Sequence, residues 1–172
     1  DLDALGAAEG ENWVWGGAVG LAPRHERVLI SLSRGGADAA VVREFDTVAK
    51  AFVPGGFVLP EAKSLVEWID ADHLYVGTDV GPGSMTPSGY PRTIRRWARG
   101  TALDAAPTVF EAGETDMLAT VSVDTGTSVF VVTSARSSSG WPARVRFRVR
   151  FRLRPGRSPS ERPSSRRPRG AG

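Results

Sequence analysis

Short apolar and β-branched runs separated by turn residues are the feature that most limits how this chain can fold. The clearest example is the stretch 65–100, where the runs 66–69, 74–77 and 93–97 alternate with segments rich in Asp, Gly and Pro. β-branched and aromatic runs bounded by such residues are typical of strands joined by tight turns. Strands that follow one another in this way predict an antiparallel meander, the unit of a β-propeller blade.

The same pattern extends along most of the chain. A short helix or irregular segment is expected over residues 2–11, and further strands are expected at 13–15, 27–32, 40–45, 50–53, 57–59, 108–110, 118–123 and 128–133. The runs that begin at residues 27, 73 and 128 are 46 and 55 residues apart, near the ~40–50 residues of a propeller blade. The predicted fold class is therefore all-β, a partial β-propeller of about three blades. A generic antiparallel sandwich is the alternative.

Charge divides the chain into two regions. Residues 1–135 carry 10 Lys and Arg residues against 18 Asp and Glu residues, a net charge of −8, whereas residues 136–172 carry 12 arginines and a single acid, a net charge of +11. This contrast predicts a folded domain over 1–135 and a basic tail rich in Arg, Pro and Ser over 136–172.

The tail itself has two parts. Residues 144–154 alternate Arg with Val, Phe or Leu, which would place the apolar groups on one face of a strand. Residues 155–172 are almost devoid of apolar side chains, so they are expected to be disordered. A shifted reading frame in GC-rich DNA is a further hypothesis for the tail, because such codons encode the residues found there.

Composition also limits location and cofactors. No run approaches the ~20 apolar residues of a membrane helix, and no secretory signal is visible, so no membrane partner is expected. The chain has no Cys, which excludes disulfides and thiolate metal sites and fits a reducing, cytoplasmic location. It begins with Asp1, which indicates that translation starts elsewhere.

Five blocks of sequence carry a family resemblance. They are EGENWVWGGA at 9–18, RVLISLSRGGADAAVVREFD at 27–46, FVLPEAKS at 57–64, WIDADHLYVGTD at 68–79 and SGYPRTIRRWARGT at 88–101. The chain resembles the N-terminal β-propeller domain of bacterial prolyl oligopeptidases, the S9 serine peptidases, over roughly residues 2–133. In that family a seven-bladed propeller caps an α/β-hydrolase domain and screens access to its Ser-Asp-His triad.

The resemblance implies what the chain does and what it lacks. It implies a fragment of a serine endopeptidase that cleaves oligopeptides after proline, with its propeller gating access to a separate hydrolase domain. The chain has room for about three of the seven blades and carries no hydrolase domain, so we expect it to be inactive alone. Its partners would be the missing hydrolase domain and, in the full-length enzyme, an oligopeptide. No catalytic, cofactor-binding or metal-binding residue is assigned, and no cofactor is expected.

Serine-peptidase machinery is not evident in the motifs. A nucleophile elbow requires Gly-x-Ser-x-Gly, with Asp and His later in the chain. Neither Ser33 nor Ser84 has glycines at both required positions. Both histidines, His25 and His73, are expected to be exposed residues in turns that precede strands.

Two other motifs have ordinary structural explanations. Asp70, Asp72 and Asp79 could suggest a cation site, but they lack the rest of a Ca²⁺ loop and are expected to be turn formers. The segment Gly81-Pro82-Gly83-Ser84 lacks the Lys-Ser/Thr of a phosphate loop and is expected to be a flexible loop at a blade edge.

Basic and aromatic residues leave two alternative functions open. Arg92, Arg95, Arg96 and Arg99 could form a nucleic-acid surface, although a charged strand with alternate residues exposed is favoured. The tail arginines would bind phosphate backbones non-specifically and with strong salt dependence, or any other anionic surface. A non-enzymatic β interaction module is the other alternative. The large aromatics Trp13, Trp15, Trp68 and Trp97 are expected in the core between blades or at its rims.

Overall fold

The structure is a computed structural model. It describes the backbone of residues 1–124, 127–134, 144–145 and 151–152, and the side chains of residues 1–123. The chain begins with helix α1 (Leu2–Glu9), for which Asp1 is the N-cap because its carboxylate accepts from the backbone N–H groups of Asp3 and Ala4. Gly10 ends the helix in the left-handed conformation, with φ of 70°. No helix within the described residues is long and apolar enough to cross a membrane.

The described strands form three antiparallel sheets in chain order. The first sheet contains β1 (Trp13–Gly20), β2 (Arg27–Arg34), β3 (Ala40–Asp46), β4 (Ala51–Phe52) and β5 (Val58–Ala62). The second sheet contains β6 (Leu65–Asp70), β7 (His73–Gly77), β8 (Thr93–Ala98) and β9 (Thr108–Glu111). The third sheet contains β10 (Asp116–Asp124), β11 (Thr127–Ser134), β12 (Arg144–Val145) and β13 (Phe151–Arg152).

Strand order follows chain order, as a meander requires. The first sheet runs β1-β2-β3-β4 with β5 also paired to β3, and the second runs β6-β7-β8-β9. The third runs β10-β11-β12 with β13 also paired to β11. All registers are antiparallel. The all-β prediction, with about three blade-like sheets, is confirmed.

Two strands, β1 and β5, are longer than the sequence predicted. In each case the strand continues past a register shift in its pairing. β1 continues to Gly20 through a register shift between Trp15 and Gly17. β5 passes through Pro60, which the pairing accommodates because the register shifts between the pairs Ala40–Ala62 and Val42–Leu59. Proline lacks an N–H, so it is tolerated at such a bulge on an outer strand.

Two short strands lie within the predicted basic tail. β12 and β13 both pair with β11, at Val132–Val145, Thr133–Arg144, Thr127–Arg152 and Ser128–Phe151. Both fall in the segment of strict Arg and apolar alternation. The expected disorder of residues 155–172 lies outside the described residues.

The first and second sheets bury a large apolar core between them. Leu29, Leu74 and Val76 are fully buried there. Phe57 packs edge-on against Trp68 and Trp97, with ring centroids 5.8 and 5.0 Å away. Aromatic pairs at this spacing add to the stabilisation from burial.

The second sheet is also covered on its other face. Tyr75 and Ile94 pack there against Ala119 and Val121 of the third sheet. Neighbouring residues on β7 therefore face opposite cores, as the period of two in a strand requires. β6 contacts both β1 and β10, so the first strands of the three sheets lie side by side along one edge. This radial stacking distinguishes a propeller from a two-sheet sandwich.

Candidate functional site

A buried ion cluster joins the first and second sheets. Glu44 lies on β3 with its side chain fully buried. Its carboxylate accepts two hydrogen bonds from the Arg99 guanidinium, at 2.7 and 3.1 Å, one from Arg27 at 3.1 Å and one from the backbone N–H of Phe57 at 2.9 Å. Arg99 follows β8 in the second sheet, so the bidentate pair ties the two sheets together.

The cluster extends to the surface at both arginines. Arg99 also donates to the carbonyl of Ala71 and pairs with Asp72, while Arg27 pairs with Asp46. Burial alone would raise the pKa of Glu44, but its bonds to Arg99, Phe57 and Arg27 hold that pKa below the ordinary value. The carboxylate is therefore ionised and fully bonded, which suits structural fastening rather than proton transfer.

A long loop between β7 and β8 joins the second and third sheets. Thr86 and Ser88 both donate from their hydroxyls to the carbonyl of Met117, just inside β10, at 2.8 and 3.1 Å. The backbone N–H of Ala119 donates to the carbonyl of Pro91 at 2.8 Å. These bonds fix the loop across the gap between the two sheets.

The same loop is hydrogen-bonded within itself around residues 81–84. Ser84 is buried, and its hydroxyl lies 2.6 Å from the carbonyl of Gly81. Its backbone carbonyl accepts from the N–H of Arg92 at 2.8 Å. The Arg92 guanidinium bonds the carbonyl of Gly83 and pairs with Glu111. These contacts link the turn residues to one another and to β9.

The candidate serines and histidines do not form a catalytic group. Ser33 is buried, and the Ser84 hydroxyl is engaged by the turn that contains Asp79. His25 is exposed, as predicted. Within the described side chains, no hydroxyl is hydrogen-bonded to the imidazole ring of either histidine.

The expectation that His73 is an exposed turn residue is wrong. It is the first residue of β7 and is partly buried, because its Nδ1 contacts the Asp70 carboxylate at 2.9 Å across the turn. Burial would raise the pKa of Asp70, but the bond to His73 and the backbone N–H of Asp72 lower it overall. A histidine and an aspartate, two members of a triad, thus meet at this turn, and no serine hydroxyl among the described side chains is hydrogen-bonded to them.

Two of the three aspartates, Asp70 and Asp79, form turns as predicted, whereas the Asp72 carboxylate pairs with Arg99. Asp70 accepts from the backbone N–H of Asp72 at 2.8 Å, and Asp79 accepts from that of Gly81 at 2.9 Å. Such bonds two residues onward are Asx turns. No group of three or more possible metal ligands occurs among the described residues.

The arginines of β8 are half-buried, which corrects the expectation of alternate exposure. Arg95 donates to the carbonyls of Asp104 and Ala106 at 2.8 and 2.9 Å. Arg92 and Arg99, which flank the strand, form the ion pairs described above, and the Nε of Arg96 is buried without a hydrogen-bond partner. Three of the four arginines are therefore engaged by internal acceptors.

The tryptophans divide between core and surface. Trp13, Trp68 and Trp97 are buried. The indole N–H groups of Trp68 and Trp97 donate to the carbonyls of Val19 and Thr101. Trp15 instead is 54% exposed and borders an apolar groove of about 1040 Å³ between α1 and the outer face of the first sheet.

The sequence analysis missed the Glu44 cluster. Its partners lie 17 and 55 residues away, so no local spacing connects them. One signal was available: in the strand 40–46, Glu44 shares a face with Val42, which belongs to the core. A charged residue on a core face predicts a buried partner of opposite charge.

A family model matches most of the chain. The model described as prolyl oligopeptidase, N-terminal beta-propeller domain, matches residues 1–153. The match extends past residue 135, where the composition changes, and includes both short strands that pair with β11.

Curated relatives match about two thirds of the chain. It is 45% identical over 119 residues to the uncharacterized peptidase y4nA of Sinorhizobium fredii (strain NBRC 101917 / NGR234), covering 69% of this chain and 16% of the relative. It is 30% identical over 119 residues to the uncharacterized peptidase RP174 of Rickettsia prowazekii (strain Madrid E), covering 64% of this chain and 16% of the relative. The chain thus spans about a sixth of the length of these relatives.

Solved structures share the fold. A post-proline cleaving enzyme from Rickettsia typhi superposes with a TM-score of 0.68 at 22% identity, covering 86% of this chain and 25% of that one. At this identity the likeness concerns the fold alone.

Proposed function

This chain belongs to the prolyl oligopeptidase family, through the N-terminal β-propeller domain of that family, and we propose that it is a segment of a serine peptidase whose propeller controls which substrates reach a separate hydrolase domain. The substrate class is oligopeptides cleaved after proline. The partners are the hydrolase domain and, in the full-length enzyme, the oligopeptide. The proposed location is the cytoplasm.

The observation that carries this proposal is the convergence of β1, β6 and β10 along one edge. Each of these three strands is the first of its sheet and lies at one edge of that sheet. β6 contacts the other two. Sheets that meet at one edge and are bonded to each other through Glu44 and through Thr86 form a stiff wall. A stiff wall can exclude folded proteins by size while admitting an extended peptide.

A second argument concerns what the described residues do not supply. No serine, histidine and aspartate come together within the described side chains, so this segment would act on access rather than on the peptide bond. We therefore propose that the chain alone does not hydrolyse peptides. The alternatives, an independent interaction module and nucleic-acid binding through residues 136–172, stay predictions.

The test is a segment exchange with the 45% identical relative. The 119 matched residues of the Sinorhizobium peptidase are replaced by those of this chain. Cleavage is measured with a short proline-containing fluorogenic peptide and with a folded protein that contains exposed proline. The unaltered relative is the control, and this chain alone is assayed in parallel.

We expect the exchanged enzyme to cleave the short peptide at a rate similar to that of the control and to spare the folded protein. We expect no turnover by this chain alone. The gating proposal fails if the exchanged enzyme is active and digests the folded protein. Peptide turnover by this chain alone that a serine-reactive inhibitor abolishes would contradict the assignment of a non-catalytic segment.

A further inference from the structure

A second cavity lies between the first and second sheets, at the end opposite Glu44. It has a volume of about 270 Å³. Aromatic side chains fill the interface near Glu44, but small residues line this end, among them Gly16, Ser31, Ser33 and Ala40. The space therefore arises because the sequence changes from large to small residues along the same interface.

One cation projects into this cavity. Lys63, in the connection between β5 and β6, has a side chain only 29% exposed. Its Nζ lies 4.7 Å from the centre of the Tyr90 ring and 3.3 Å from the Asp38 carboxylate. The aromatic face holds the ammonium in place, and the loop that carries Tyr90 is fixed by its bonds to the third sheet.

The lining carries one cation and one anion, Lys63 and Asp38, and the two differ in exposure. Asp38 is 79% exposed, whereas Lys63 is largely covered. A carboxylate in water is well solvated and contributes little to an exposed ion pair. The partly desolvated ammonium is therefore the charge that a bound ligand would meet, and Asp38 is a weak internal competitor for it.

Hydroxyl groups provide the remaining polar surface. Ser31 and Ser33 project from alternate positions of β2 onto the same face, and Ser64 stands on the opposite wall. Ser64 shares a 2.7 Å hydrogen bond with Thr78, which fixes its hydroxyl. A few polar groups on a small, otherwise apolar wall are typical of small-molecule sites.

We propose that this cavity binds a small monocarboxylate of about amino-acid size, with the carboxylate on Lys63 Nζ and the body of the ligand against the serine hydroxyls. The ligand is either a free small acid or the carboxyl terminus of a peptide, because both present the same group. The inference does not rest on the proposed peptidase function. With one cation and a small contact area, binding is weak, with a dissociation constant of roughly 1 mM.

The experiment uses the fact that the chain has two lysines, Lys50 and Lys63. The full chain is labelled with ¹³C at the lysine ε carbon, and the two signals are assigned with Lys50→Arg and Lys63→Arg. Each probe is then added to the labelled chain up to a concentration of about 50 mM, well above the expected dissociation constant. The probes are N-acetylglycine, N-acetyl-tetraalanine, inorganic phosphate and the uncharged N-acetylglycinamide.

We expect N-acetylglycine to shift the Lys63 signal with saturation and to leave the Lys50 signal in place. N-acetylglycinamide is expected to shift neither. A comparable shift with N-acetyl-tetraalanine would identify a peptide terminus as the ligand, and its absence would identify a free small acid. The proposal is overturned if neither lysine responds, if both respond equally, or if phosphate or the amide acts as well as the acid.

Variants measured by equilibrium dialysis with radiolabelled N-acetylglycine provide a second readout. Lys63→Met should weaken binding at least tenfold, and the matched control Lys50→Met should not change it. Asp38→Asn removes the internal competitor and should tighten binding about two- to fivefold. Weaker binding in Asp38→Asn would contradict the proposed roles. If Lys63→Met fails to fold, the titration of the unaltered chain decides.

Discussion

The two interfaces of the middle sheet differ in how they hold a carboxylate, which is buried in one interface and partly buried in the other. Between the first and second sheets, Glu44 accepts four hydrogen bonds, three of them from the guanidinium groups of Arg27 and Arg99. Between the second and third sheets, Glu67 of β6 accepts from the backbone N–H of Val123 at 3.4 Å. No Lys or Arg forms an ion pair with Glu67 in the part of the chain whose side chains are described.

The difference shows what decides whether a buried charge strengthens an interface. Burial raises the pKa of Glu67, and the single weak bond to Val123 only partly opposes this. The same desolvation acts on Glu44, but its arginines outweigh it and the pKa falls. A carboxylate that accepts hydrogen bonds at both oxygens from cationic partners stabilises the contact between two sheets. A carboxylate with too few partners opposes the association of the sheets when it is ionised.

The largest effect on stability is expected from removing the Glu44 carboxylate. Glu44→Ala leaves Arg99, Arg27 and the N–H of Phe57 without their shared acceptor, and should lower the free energy of unfolding by about 3 kcal/mol. Urea unfolding followed by tryptophan fluorescence measures this. Glu61→Ala is the matched control, because Glu61 pairs with Arg34 at the surface, 36% exposed, where such pairs contribute under about 1 kcal/mol. Equal losses in the two variants would contradict the contrast.

A smaller effect is expected from keeping the charge of Arg99 but changing its shape. Arg99→Lys cannot reproduce the bidentate contact with Glu44 or the stacking on Phe57, where the guanidinium carbon lies 4.4 Å from the ring centre. The expected loss is about 1.5 kcal/mol, the contribution of one hydrogen bond to a charged group. Arg24→Lys, at an exposed pair with Glu26, should leave the unfolding midpoint unchanged. A lysine that fully replaced Arg99 would show that charge alone holds the sheets.

The strands were predictable from sequence, whereas the ion pairs and hydrogen bonds between sheets were not. Turn residues such as Gly35 and Gly55, both at positive φ, mark where strands end because few other residues adopt that conformation. The ion pair between Glu44 and Arg99 depends on how the sheets stack, and so does the hydrogen bond from Thr86 to the carbonyl of Met117. That stacking brings together residues that are far apart in sequence, and local sequence patterns do not predict such contacts.

A different limit explains the errors for His73 and β8. The residue pattern indicated a turn and an exposed charged strand. His73 instead contacts Asp70, three residues earlier, and Arg95 donates to the carbonyls of Asp104 and Ala106 in the loop that follows β8. These partners lie nearby in sequence, but the pattern does not show which polar groups the turn and the loop bring within hydrogen-bond distance.

The smallest effect, with the opposite sign, is expected at Glu67. A raised pKa means that the folded state favours the protonated carboxyl, so its contribution to stability is complete below the unfolded value of about 4.3 and is lost as the pH rises through the folded value. Glu67→Gln keeps the shape without the charge and should stabilise the chain at pH 7 by less than about 1 kcal/mol. Urea midpoints between pH 4 and pH 8 should show the advantage of the variant growing with pH. Glu114→Gln, at an exposed position, should leave stability unchanged. A loss of stability in Glu67→Gln at neutral pH would mean that the ionised carboxylate has a favourable partner in the third sheet, and the two interfaces would then follow the same rule.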